Sequence, residues 1–121
     1  MSKAETSLPP AIEQFIAGVN NFDSTMLLES FVDDALLNDN HREFWGKTAI
    51  KKFTDREFIG DRVTLSVTDV REHYGQFVIA AKIDGNYDKT NLPDPLILGF
   101  YFTLKNEKIV TLIVIFNKPP V

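Results

Sequence analysis

The chain runs to 121 residues, with 44% hydrophobic and 25% charged side chains, a formal net charge of -4, two histidines and no cysteine. That is the size and make-up of one globular domain with a real core. The missing cysteines exclude disulfides, thiolate metal sites and cysteine nucleophiles. The acidic balance leaves no surplus of cations for nucleic acid or an anionic membrane.

Residues 1–7 are polar and read as a flexible start without the apolar stretch of a signal peptide; residues 8–121 then form the one domain. No apolar run approaches the roughly 20 residues of a membrane span, and the lack of cysteine fits a reducing compartment, so a cytoplasmic protein is expected. Pro9 and Pro10 suit the first turn of a helix. Ile12, Phe15, Ile16 and Val19 follow the i, i+3, i+4, i+7 pattern, so this helix buries one stripe, and Asn20-Asn21 ends it. Asp23 or Ser24 caps a second, shorter helix through Phe31, with Met26, Leu27 and Phe31 as its apolar contacts.

The segment from Phe31 to Phe53 then reads as a helix end, a turn on Asp33 and Asp34, a short strand, a polar loop and a third helix opening near Gly46 to Thr48. Leu37 and Asp39 stand two apart and share a strand face. If that face looks inward, the Asp39 carboxylate sits among apolar side chains, where ionisation is costly and its pKa rises; it is then a candidate acid or base. Ala49, Ile50, Phe53 and Glu57 or Phe58 line one side of the third helix, and Gly60 stops it.

After Gly60 the period changes to two. Val63, Leu65 and Val67 alternate with polar residues. Phe77, Ile79, Ala81 and Ile83 follow, then Leu96, Leu98, Phe100, Phe102 and Leu104. Ile109 to Phe116 is apolar on both faces. Tyr74-Gly75 and Lys105-Asn106-Glu107 mark turns, and Asn91 to Pro95 a longer connection. The layout is α+β: helices in the front half, then a four-stranded antiparallel meander. The face turned away from the helices carries Ile97, Tyr101, Ile109, Ile113 and Ile115. Such an apolar patch points to a homodimer formed face to face, unless Asn117 to Val121 folds over part of it.

The order of elements, with Phe31-Val-Asp-Asp-Ala35 before the short strand and Gly46-Lys-Thr-Ala-Ile-Lys-Lys-Phe53 opening the third helix, resembles the NTF2-like cone fold. Within that group the chain looks like SnoaL-like proteins, which are polyketide cyclase relatives, and like ketosteroid isomerase, from about Leu8 to Phe116. The resemblance implies three N-terminal helices on a strongly curved, mainly antiparallel sheet, and a cavity for a small apolar molecule. Its lining would come from Phe15, Val19, Phe31, Trp45, Phe53, Phe58, Ile79, Leu98, Phe100, Leu112 and Val114, with Tyr87 near the mouth. It implies no cofactor.

Carried over residue by residue, the isomerase's general base falls on Asp39. Its two oxyanion donors fall on Phe15 and on Leu98 or Gly99, none of which has a side-chain donor. Losing one such donor costs on the order of 10²-fold or more in rate, so the same isomerase chemistry is not expected. SnoaL-like cyclases and dehydratase relatives use Asp, or a His-Asp pair, for proton transfer. That makes Asp39 with His41 the candidate catalytic pair, provided the strand continues through His41. Asn38 to His41 is equally a turn composition.

Other polar residues carry a structural reading beside a chemical one. Asp33 and Asp34 suit a tight turn. Trp45 is a cavity rim or a core anchor. Arg42-Glu43 and Arg56-Glu57 read as solvated ion pairs, with Glu57 turned inward in the alternative. His41 and His73 lack zinc-site spacing, so no metal is expected. Gly60 and Gly75 are isolated, without a phosphate loop, and no Gly-x-Ser-x-Gly occurs. Two functions follow: a cofactor-free isomerase, cyclase or dehydratase built on Asp39, or a binding or scaffold module that makes no bond.

Overall fold

The computed structural model describes residues 8–116; the expectations for residues 1–7 and for Asn117 to Val121 lie outside them. Helix α1 is Pro10–Asn20 and α2 is Ser24–Glu29. Strands β1 (Phe31–Asp39) and β2 (Arg42–Trp45) come next, then α3 (Gly46–Thr54) with a π-helical turn, Asp55–Ile59. Strands β3 (Thr64–His73), β4 (Gln76–Asp84), β5 (Leu96–Lys105) and β6 (Lys108–Phe116) complete the chain.

Pro10 opens α1 at the position where a missing N–H costs nothing. The Asp23 side chain accepts from the Met26 N–H and caps α2. This helix ends two residues before Phe31, which already belongs to β1. Gly18 lets α1 and α2 touch: a Cβ there would meet the Leu27 backbone nitrogen at 2.6 Å. The Asn20 amide acts as a substitute strand for β3, accepting from the Leu65 N–H at 2.7 Å and donating to its carbonyl at 3.1 Å.

Among the described residues, the sheet has six strands in the order β2-β1-β6-β5-β4-β3. The expected meander is there as β3 to β6, every neighbour antiparallel, and β6 then pairs parallel with β1. Strand β6 therefore lies inside the sheet, between β1 and β5. The polar loop expected after β1 is a second strand instead. Asn40 and His41 both take positive φ, 48° and 75°, which closes a two-residue hairpin of the kind favoured by sheet twist. Asp33 and Asp34 lie within β1, where the register against β6 shifts between Phe31 and Leu36, and both are exposed.

The helices cover one sheet face, and the core between them is aromatic. Phe15 packs edge-on against Phe31 at 5.9 Å and Phe102 at 5.6 Å, and lies 6.5 Å from Phe100. Fully burying such a ring contributes about 2–3 kcal/mol. Ile109 corrects the expected outer patch. Val110 is an extra residue between the pairs Thr103–Thr111 and Leu104–Ile109, so the alternation flips and Ile109 is fully buried. Ile97, Tyr101, Ile113 and Ile115 keep the parity facing away from the helices. Among the described residues, no helix is long and apolar enough to cross a membrane.

Candidate functional site

Asp39 ends β1 on the same face as the fully buried Leu37 and lines a cavity of about 150 Å³. The other walls are Phe53 and Phe58 from the third helix and its π turn, Val63 and Leu65 entering β3, Ile83 from β4, Leu96, Leu98 and Phe100 from β5, and Tyr87 from the β4–β5 loop. Glu57 and Asp61 add two more carboxylates. The Asp39 side chain is only 15% exposed.

The carboxylate is not isolated, as the alternation with Leu37 alone would have it. The two-residue turn places Arg42 directly opposite Asp39, and its guanidinium hydrogen-bonds Oδ2. The same guanidinium meets Glu57 with two bonds, Nη1 to Oε2 at 3.0 Å and Nη2 to Oε1 at 2.9 Å. Two parallel N–H···O bonds are the geometry in which Arg holds a carboxylate best. The hydrogen bonds from Arg42 keep the Glu57 carboxyl below the usual range, against a smaller opposing effect of burial. The same contacts, Glu57 first and Asp39 second, push the Arg42 guanidinium up. Beneath it, Phe44 and Phe53 are stacked at 4.3 Å, and the guanidinium centre lies 5.3 Å from the Phe53 ring centroid.

The π turn positions Glu57 and Phe58. The Gly60 N–H donates to the Asp55 carbonyl at 2.8 Å, an i to i+5 bond that widens the helix end. Gly60 therefore does not end the helix in a left-handed conformation; its φ is -61°. It is needed for space, because a Cβ would lie 2.5 Å from the Arg56 carbonyl oxygen. Tyr87 donates its O–H to the Ile83 carbonyl at 3.2 Å, and burial pushes this phenol up.

Of the residues expected around the cavity, Asp39, Phe53, Phe58, Tyr87, Leu98 and Phe100 line it. Phe15, Val19, Phe31, Ile79, Leu112 and Val114 are buried in the core and do not belong to the cavity lining. Trp45 is neither rim nor core anchor. It sits at the end of β2 opposite Leu36, 64% exposed, with its indole N–H 3.2 Å from Glu43. His41 occupies the turn, exposed, and shares no face with Asp39; its backbone N–H donates to Asn38 Oδ1 at 2.8 Å. Among the described residues, no group of three or more His, Cys, Asp or Glu side chains could hold a metal ion.

Arg42 and Asp61 are the polar site residues that the sequence reading missed. Recognising Asn40-His41 as a two-residue turn would have placed Arg42 across from Asp39. Nothing in the local pattern marks Asp61.

No family model matches the sequence, and no curated protein matches it. Solved structures do match. A putative polyketide cyclase from Sinorhizobium meliloti superposes with a TM-score of 0.79 at 20% identity, over 88% of this chain and 94% of that one. A protein with a ketosteroid isomerase-like fold from Catenulispora acidiphila, in complex with trimethylamine, gives 0.76 at 16% identity, over 92% and 88%. An NTF2-like protein from Cytophaga hutchinsonii gives 0.71 at 13%, over 88% and 87%. Three helices on a curled, mainly antiparallel sheet give this chain the fold of these NTF2-like and ketosteroid isomerase-like structures.

Proposed function

We propose that the protein binds a compact, largely apolar small molecule in the Asp39 cavity, with the Asp39 carboxylate as its polar anchor. The observation that carries this reading is a carboxylate, 15% exposed, in the wall of a cavity otherwise made mostly of aromatic and aliphatic side chains. Arg42 and Glu57 hold that carboxylate in place. A ligand that binds only the folded state raises its stability by mass action. Saturating benzyl alcohol is therefore expected to raise the melting temperature by several degrees. Leu98→Trp, which fills the cavity, is expected to remove the shift; an equal shift in both proteins would contradict the proposal.

A second reading makes Asp39 the acid/base of a cofactor-free isomerase, cyclase or dehydratase. Its place in the wall, and the likeness to a polyketide cyclase, favour this. The donor inventory weighs against it: Phe15 is in the core, Leu98 is apolar, and Gly99 pairs with Ala80 and Ile115 on the opposite parity. Binding without bond-making is the better supported of the two.

The outer sheet face is proposed to pair with a second copy of the chain. Tyr101 lies between Val78 and Ile113 in register, beside Ile97 and Ile115, and these face away from the helices.

A further inference from the structure

We propose that the Asp39 cavity selects a small protonated amine, whose apolar body fills the chamber and whose N–H groups meet Asp39. This rests on the ligand-binding reading above and narrows it.

The polar inventory of the wall comes first. The side chains there with polar groups are Asp39, Glu57, Asp61 and Tyr87. Ionised carboxylates only accept hydrogen bonds. Among the described side chains of the wall, the one donor, the Tyr87 hydroxyl, is turned to the Ile83 carbonyl at 3.2 Å. Of the adjacent cations, Arg42 is already committed to Asp39 and to both oxygens of Glu57, and Arg56 is paired with Glu57 at 3.5 Å. A carboxylate or phosphate ligand would therefore find like charge and few donors. An amine finds acceptors: Arg42 bonds Asp39 at Oδ2, and a carboxylate has lone pairs for further donors.

Charge and wall chemistry agree. Asp39, Glu57 and Asp61 face two guanidiniums, Arg42 and Arg56, the second 3.5 Å from Glu57 Oε2, while Lys89 above the Tyr87 ring is paired with Asp84, so a ligand cation offsets the remaining negative charge. Phe53, Phe58, Tyr87 and Phe100 present ring carbons to the chamber, and aromatic faces attract cations. The Phe53 ring already holds one, the Arg42 guanidinium centre at 5.3 Å. Size sets the rest. An engineered apolar cavity of similar volume, about 150 Å³, takes up benzene. The body of the ligand is thus one ring or its aliphatic equivalent.

The test is calorimetric titration at pH 7 with three probes of nearly one shape: benzylamine, benzyl alcohol and benzoate. Benzylamine is expected to bind about tenfold tighter than benzyl alcohol, as a charge-assisted hydrogen bond would give, and benzoate not at all. In Asp39→Asn the preference for benzylamine is expected to vanish while benzyl alcohol still binds. If that variant does not fold, the three probes on the unaltered protein carry the test. Benzyl alcohol or benzoate binding as tightly as benzylamine would overturn the amine inference and leave the pocket reading standing. No saturable binding of any probe to the folded protein would overturn both.

Discussion

Arg42 links three parts of the site through one planar group: the end of β1 through Asp39, the π turn through Glu57, and the aromatic wall through Phe53. Glu57 carries a measurable consequence. Its carboxyl is held below the ordinary value of 4.5, so the pair stabilises the fold above about pH 4.5 and that contribution is lost as pH falls below it. Its side chain is 32% exposed and that of Arg42 50%, so screening limits the effect to about 0.5–1 kcal/mol. Urea unfolding of Glu57→Gln is expected to show a deficit of that size at pH 7 and almost none at pH 3; an equal deficit at both would contradict the pairing. Phe15 tests the core instead. Phe15→Ala is expected to cost about 3–5 kcal/mol in chemical denaturation, because the ring is fully buried among other rings. A residue like Asp39 was legible in the sequence because strand alternation tied it to Leu37. Arg42 was not, because its partner depends on the backbone conformation of the two residues between them.

Among the elements, the β1–β2 hairpin decides whether Asp39 and Arg42 meet. Asn40 takes φ 48°, its N–H donates to the Val114 carbonyl at 2.9 Å, and its side chain accepts from the Phe116 N–H at 3.0 Å. A left-handed residue with a Cβ costs roughly 1–2 kcal/mol unless it is Gly, Asn or Asp. Asn40→Ala is therefore expected to lose about that much stability by urea denaturation, and Asn40→Gly to lose less. Equal losses would show that the bond to Phe116, not the turn, carries the effect. The helices and β3 to β6 were legible from periodicity, since period 3.6 and period 2 each hold over long runs. What escaped were the irregular places, where no repeat exists to read: the β2 strand in a polar stretch, the Val110 bulge that buries Ile109, and the π turn after α3. The last two also shape the molecule most. One sets which residues reach the outer face, and the other aims Glu57 and Phe58 at the cavity.

At the scale of the whole molecule, the described residues leave two apolar surfaces, the cavity and the outer sheet face. If a second copy covers the outer face, light scattering gives the mass of a dimer, and Tyr101→Glu, which puts a charge at its centre, gives a monomer with unchanged circular dichroism; a monomeric unaltered protein would contradict this. The cavity is the central claim, and methyl NMR during a benzyl alcohol titration tests it most directly. Saturable shifts are expected at the methyls of Leu65, Ile83, Leu96 and Leu98, with Ile113 and Ile115 unmoved. Shifts confined to Ile113 and Ile115, or none that saturate at the cavity methyls, would contradict the account.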